Sequence, residues 1–162
     1  MDTLTPVPAP KAVRDLLLEL LDRGVEVDIA DPYTPEPGEV STLAVYVDDA
    51  MRTTAVALAD IGFSARAGAA IGLVPPGGAE VAIEEKELSP MVAENLYEVL
   101  NICASLMNAE GLPHVKLHQV YAPGALPPAD VAAYARAFGR RLDLAVTIAG
   151  YGAGRLSLVL VG

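Results

Sequence analysis

Residues 89–108 read Ser-Pro-Met-Val-Ala-Glu-Asn-Leu-Tyr-Glu-Val-Leu-Asn-Ile-Cys-Ala-Ser-Leu-Met-Asn, and the rest of the chain is read outward from them. Ser89 is a good N-cap, because its hydroxyl can accept from a free amide of the first turn, and Pro90 suits the first helical position, where no N–H is required. The spacing predicts one long helix over Ser89 to Asn108. At about 100° per residue, Glu94, Glu98, Asn101, Ser105 and Asn108 fall within an arc of roughly 80°. Most of the remaining circumference is apolar, from Met91, Val92, Leu96, Val99 and Leu100 to Ile102, Cys103, Leu106 and Met107. Asn95 is the exception, and buried there it needs a polar partner. The reading is of an embedded helix with one polar strip showing, which by itself is the ordinary solvated face of a core helix.

Upstream, residues 3–10 are Pro-rich and are expected to form a flexible lead-in. Val13, Leu16, Leu17, Leu20 and Leu21 then recur at helical spacing, with Gly24 where a C-terminal cap belongs. Val25, Val27 and Ile29 alternate with Glu26 and Asp28 as a half-buried strand does, and Pro32, Pro35, Pro37 and Gly38 impose a loop. Thr42 to Val47 and Thr53 to Leu58 read as two antiparallel strands joined by a turn at Asp48-Asp49. Asp60 can cap a helix running to about Gly72. Pro75-Pro76-Gly77-Gly78 breaks it, a short strand is expected over Glu80 to Ile83, and the acidic run Glu84, Glu85 and Glu87 leads into the long helix.

Downstream, a strand near Val115 to Tyr121 is followed by a Pro/Gly loop and a short helix from about Pro128 to Phe138. Leu142, Leu144, Val146 and Ile148 alternate, Gly150 to Gly154 turns, and Leu156, Leu158 and Leu160 alternate again, which is the clearest hairpin in the chain. The fold class is therefore α/β (α+β): a single domain over residues 1–162, a mostly antiparallel sheet with long helices packed on one face. No repeat of about 20–50 residues stands out.

Composition narrows the function. The chain has 162 residues, enough for one core, and its 52% hydrophobic content is cut by charges or glycines well short of a membrane span. The apolar surplus makes a homodimer plausible. A net charge of −10 opposes binding to phosphate backbones, so no nucleic acid partner is expected. Cys103 is the only cysteine and the N-terminus lacks the basic start and apolar run of a secretory signal, so the cytoplasm is the expected compartment.

The order of elements, the long helix with Glu98-Val99-Leu100-Asn101, the loop carrying Pro123 and the closing hairpin resemble the CheC/CheX family of chemotaxis phosphatases over most of the chain. The resemblance implies that a Glu-x-x-Asn pair on an exposed helical face dephosphorylates the phosphoaspartate of a CheY-type response regulator. Asn101 would hold the water and Glu98 would pair with a regulator lysine, with Glu94, Ser105 and Asn108 as partner-binding neighbours. No cofactor of its own is implied, because Mg²⁺ is supplied in the phosphorylated regulator's site. The residue types suit that chemistry: an acyl phosphate is already activated and needs a positioned water more than a strong base. Only one such motif is present, which is closer to single-site CheX than to two-site CheC. Glu94, where the CheC pattern often has Asp or Ser, and Ser105, where a small Gly is common, depart from the pattern. They lend support to the alternative of a non-catalytic interaction module.

Other features read more simply. His114 and His118 lack further Cys or His partners for a metal site. Gly150-x-Gly152-x-Gly154 has a strand after it where a dinucleotide loop requires a helix. Cys103 falls on the apolar arc and reads as a packed thiol, and Arg136, Arg140 and Arg141 read as a solvated basic cluster.

Overall fold

A computed structural model of the chain describes residues 5–161. The elements run α1 (Pro10–Leu21), β1 (Val25–Ile29), β2 (Ser41–Val47), β3 (Thr53–Asp60), α2 (Ile61–Ile71), α3 (Pro76–Glu85), α4 (Pro90–Cys103), a 3-10 turn (Ala104–Met107), β4 (Lys116–Tyr121), α5 (Ala129–Arg136), β5 (Arg141–Ile148) and β6 (Gly152–Leu160). All six strands join one antiparallel sheet in the order β1-β5-β6-β3-β2-β4. The α+β reading holds, as does the closing hairpin, which runs from Arg141 paired with Val159 to Ile148 paired with Gly152. Of the Pro-rich lead-in, residues 1–4 lie outside the described part; Thr5 is buried and Val7 packs on the core.

The sheet order has a hidden regularity. Exchanging β1 with β4, β2 with β5 and β3 with β6 leaves the order the same read backwards, so β3 and β6 straddle an approximate two-fold axis. The chain order agrees: α1-β1-β2-β3 and α4-β4-β5-β6 are the same run, with α5 inserted in the second. α1 is thus the counterpart of α4. Both are amphipathic and bury one stripe, Val13, Leu17 and Leu21 in α1 and Leu96, Val99, Leu100 and Cys103 in α4.

Side-chain alternation in the strands divides the molecule into layers. Ala44, Tyr46, Ala55, Ala57, Leu144, Val146, Leu156 and Leu158 face α1, α2 and α4 in the main core. Leu43, Val45, Val47, Val56, Leu58 and Val159 face the other way and meet Val131 and Ala135 of α5 with Tyr33. The long helices α1, α2 and α4 share one face as expected, and the short α5 covers the other, because β2 and β3 are apolar on both sides and leave that surface to be buried.

Three expectations are corrected. Glu80 to Ile83 lies inside α3 and not in a strand, since Pro75-Pro76 places a proline in its first turn and Ala79 and Ala82, three apart, are the buried pair. α1 ends at Asp22, in the left-handed region at φ 51°, ahead of Gly24. Arg141 is no surface decoration: its side chain is 7% exposed and grips Asp143 through Nε and Nη2, both at 2.8 Å. Asp143 also accepts from Ser157 Oγ at 2.6 Å and the Tyr33 amide at 3.0 Å. Burial opposes ionisation of this carboxyl, but Arg141, Ser157 and the Tyr33 amide together hold it below the usual carboxylate range.

Candidate functional site

α4 is held in place before any of its exposed residues is considered. Ser89 caps it, its Oγ accepting from the Val92 amide at 3.3 Å. Behind it lies α2, itself capped by Asp60 Oδ1 on the Phe63 amide at 2.7 Å. The two helices approach closely because α2 presents Gly68 and Gly72. A Cβ on Gly68 would stand 2.7 Å from the Val92 carbonyl oxygen and 2.8 Å from its Cγ1. Asn95, the polar residue the sequence leaves without a partner, donates to the Gly68 carbonyl at 2.9 Å across this seam. A second anchor comes from the sheet: the Tyr46 hydroxyl, wholly buried on β2, donates to the Leu100 carbonyl at 2.5 Å.

On the opposite side of α4 the strip is open. Glu94, Glu98 and Asn101 are exposed, as is Ser105 on the following turn. The Glu94, Glu98, Asn101 and Ser105 side chains make no hydrogen bond or ion pair with another described residue. Glu98 and Asn101, three apart, project from one face. The arrangement is two carboxylates and a free amide on one anchored helix face, with nothing among the described residues enclosing them.

The strip is shorter than expected. The α-helix stops at Cys103, and residues 104–107 form a 3-10 turn, in which the tighter winding carries Ser105 round the axis from its α-helical position. Asn108 is removed from the strip altogether. Its Nδ2 donates to the Ala104 and Val115 carbonyls at 3.0 and 2.9 Å, and its Oδ1 accepts from the Val115 amide at 2.8 Å. Both amide hydrogens and one acceptor site are thus committed to Ala104 and Val115, which turns the side chain away from the strip. Met91, assigned by its apolar character to the buried arc, is 60% exposed, and Tyr97 is 46% exposed. Their positions at the margins of the polar strip, which the wheel already gives, were the available signal.

The counterpart helix carries different chemistry. Matching the inward residues Val13, Leu16, Leu17 and Leu20 to Leu96, Val99, Leu100 and Cys103 sets Asp15 opposite Glu98 and Leu18 opposite Asn101. Lys11 then takes the place of Glu94 and pairs with Asp15 at 2.7 Å. This hydrogen bond, with the lysine's charge, holds the Asp15 carboxyl below its ordinary range. α1 has no asparagine.

The remaining candidates fall in place. Cys103 is fully buried in the core, and burial pushes its thiol up to about 12. Gly150, in the turn between β5 and β6, and Gly152, which opens β6, adopt φ of 82° and 126°. His114 precedes β4, and His118 is the extra residue where the register shifts between Val45 and Tyr46. Among the described residues no group of three or more His, Cys, Asp or Glu is placed to hold a metal ion, and no helix is long and apolar enough to cross a membrane.

No protein-family model matches the sequence, and no curated protein matches it significantly. Solved structures do. FliY of Thermotoga maritima superposes with a TM-score of 0.61 at 14% identity, covering 96% of this chain and 85% of that one. The FliM–SpeE complex of H. pylori gives 0.60 at 9% identity over 93% and 80%. The CheX–CheY–BeF3–Mg²⁺ complex of Borrelia burgdorferi gives 0.53 at 10% identity over 94% of both chains. At these identities the likeness is one of fold, and the fold is CheC/CheX-like.

Proposed function

We propose that this chain is a phosphatase of phosphorylated CheY-type response regulators, acting from the exposed face of α4. The observation that carries the reading is the free Glu98 and Asn101 pair on a doubly anchored helix, in a fold similar to that of a CheX crystallised with CheY and BeF3. Asn101 presents its amide to a water in line with the phosphorus. As the water oxygen bonds to phosphorus, the bond to the regulator's aspartate oxygen breaks, and inorganic phosphate leaves with the water's proton. Mg²⁺ in the regulator's own site supplies charge neutralisation on the phosphoryl oxygens. Glu98 pairs with a regulator lysine and fixes the approach. Such a mechanism needs no enclosed pocket in this chain, because the reacting group arrives inside the partner.

The test is decay of the aspartyl phosphate on regulators from the same genome, in Mg²⁺. Wild type is expected to accelerate it. Asn101→Ala should lower kcat by about 10²-fold, the range for losing one positioning group, and Glu98→Ala should raise KM. If Asn101→Ala dephosphorylates as fast as wild type, the mechanism is wrong.

A second reading is a non-catalytic interaction module. It is favoured by the likeness to a FliM structure solved as a complex with SpeE, whose TM-score of 0.60 exceeds the 0.53 to CheX. Binding of a regulator with no acceleration of phosphate loss would establish it.

A further inference from the structure

The amide and carboxylate of the α4 face are bracketed by two large apolar side chains that the fold leaves uncovered, Tyr97 and Met91. On the helix wheel Tyr97 stands about 40° from Asn101 on one side, and Met91 about 20° from Glu98 on the other. Tyr97 lies one turn before Asn101, and Met91 one turn before Glu94, so each adjoins the strip as an i, i+4 or i, i+3 neighbour. Elsewhere on this segment Val92, Leu96, Val99, Leu100 and Met107 are all buried. The core therefore does not use Tyr97 or Met91, and what sets them apart from the other exposed apolar residues is their place on either side of the acid and amide strip.

The charge around them has one sign. Glu94 and Glu98 lie between the two apolar groups, and Glu84, Glu85 and Glu87 are exposed just before the helix. The single base of that stretch, Lys86, is turned away and donates to the Gly38 carbonyl at 2.9 Å. Carboxylates set between an aromatic and a thioether complement a protein surface that presents a cation among apolar contacts. Tyr and Met are enriched at the centres of such interfaces, where a few anchors carry most of the affinity.

We infer that Tyr97 and Met91 are the docking residues that seat a phosphorylated receiver domain on α4, flanking the Glu98 and Asn101 pair that enters its site. The partner's identity rests on the phosphatase reading; the docking role is tested separately from turnover. Both side chains stand outside the chemistry, so their loss weakens association and spares the chemical step.

The experiment titrates the full chain with receiver domains from the same genome loaded with beryllofluoride and Mg²⁺, alongside phosphate-release kinetics. Tyr97→Ala is expected to weaken binding and raise KM by about tenfold, and Met91→Ala by about threefold, with kcat within about twofold of wild type. Tyr97→Phe, which keeps the ring, should restore binding to within about twofold, whereas Asn101→Ala should bind normally and lose turnover. Unchanged affinity in Tyr97→Ala, or a fall in kcat without a rise in KM, overturns the docking role. Wild type that binds but never turns over, with binding weakened in Tyr97→Ala and Met91→Ala, leaves docking standing and removes the phosphatase reading. Failure of wild type to bind any loaded receiver domain overturns the docking proposal itself.

Discussion

The Tyr46 hydroxyl donates to the carbonyl of Leu100, the residue immediately before Asn101. That carbonyl needs a partner because the helix tightens there: the Ala104 amide turns to the Asn101 and Ile102 carbonyls, ending the regular i to i−4 ladder. A sheet residue thus closes the helix at the level of the candidate site. Tyr46→Phe keeps the packing and leaves the buried carbonyl unsatisfied. Its expected cost is about 1–3 kcal/mol, read as a fall in Tm of roughly 2–4 °C per kcal/mol, and the proposed dephosphorylation should slow with it.

The seam between α2 and α4 predicts a sharp contrast between glycines. Gly68→Ala drives a methyl into the Val92 carbonyl, which cannot yield without moving α4, and should cost about 1–3 kcal/mol in chemical denaturation. Gly77→Ala meets nothing within 4 Å on α3 and should be neutral or stabilising by about 0.4–1 kcal/mol.

Asp143 sets an acid limit. Its folded carboxyl is held below its unfolded value, so its contribution is fully present above the unfolded pKa and is lost as pH falls through the folded one. Stability measured from neutral pH downward should therefore drop through the acidic range below the ordinary aspartate pKa. Asp143→Asn should be less stable at pH 7, leaving Arg141 buried without its counter-charge, and should show a shallower decline with acid.

Cys103 should be inert in the native state. With the thiol pushed up to about 12 by burial, and no exposed surface, a thiol reagent at pH 8 should label it only after denaturant is added. Rapid native labelling would mean that α4 separates from the sheet.

Much of this was legible in the sequence, and the exceptions have physical causes. Strong periodicity gave α1, α4 and the β5–β6 hairpin, and Asp60 and Ser89 cap as their residue types suggest. Glu80 to Ile83 misled because a short run with alternating apolar residues fits either period, and only packing of Ala79 and Ala82 on α2 decides for helix. The end of α4 is not legible because Ala104 to Met107 contains no breaker, and the carbonyl that the 3-10 turn releases is taken up by Tyr46, distant in sequence. Of the strip, Glu94, Glu98 and Asn101 were placed correctly on an exposed face. Asn108 was not, because its bonds to Val115 arise from a loop closure that a helical wheel cannot express.

The mirrored order of the sheet gives the molecule a spare. Two helices occupy related positions, yet only α4 keeps an amide beside its acid, while α1 has Leu18 at the matching place and ties Asp15 to Lys11. The symmetry of the sheet thus stops at its outer helices: related places hold an open acid and amide on one side and a closed ion pair on the other, so whatever α4 binds would find no matching surface on α1.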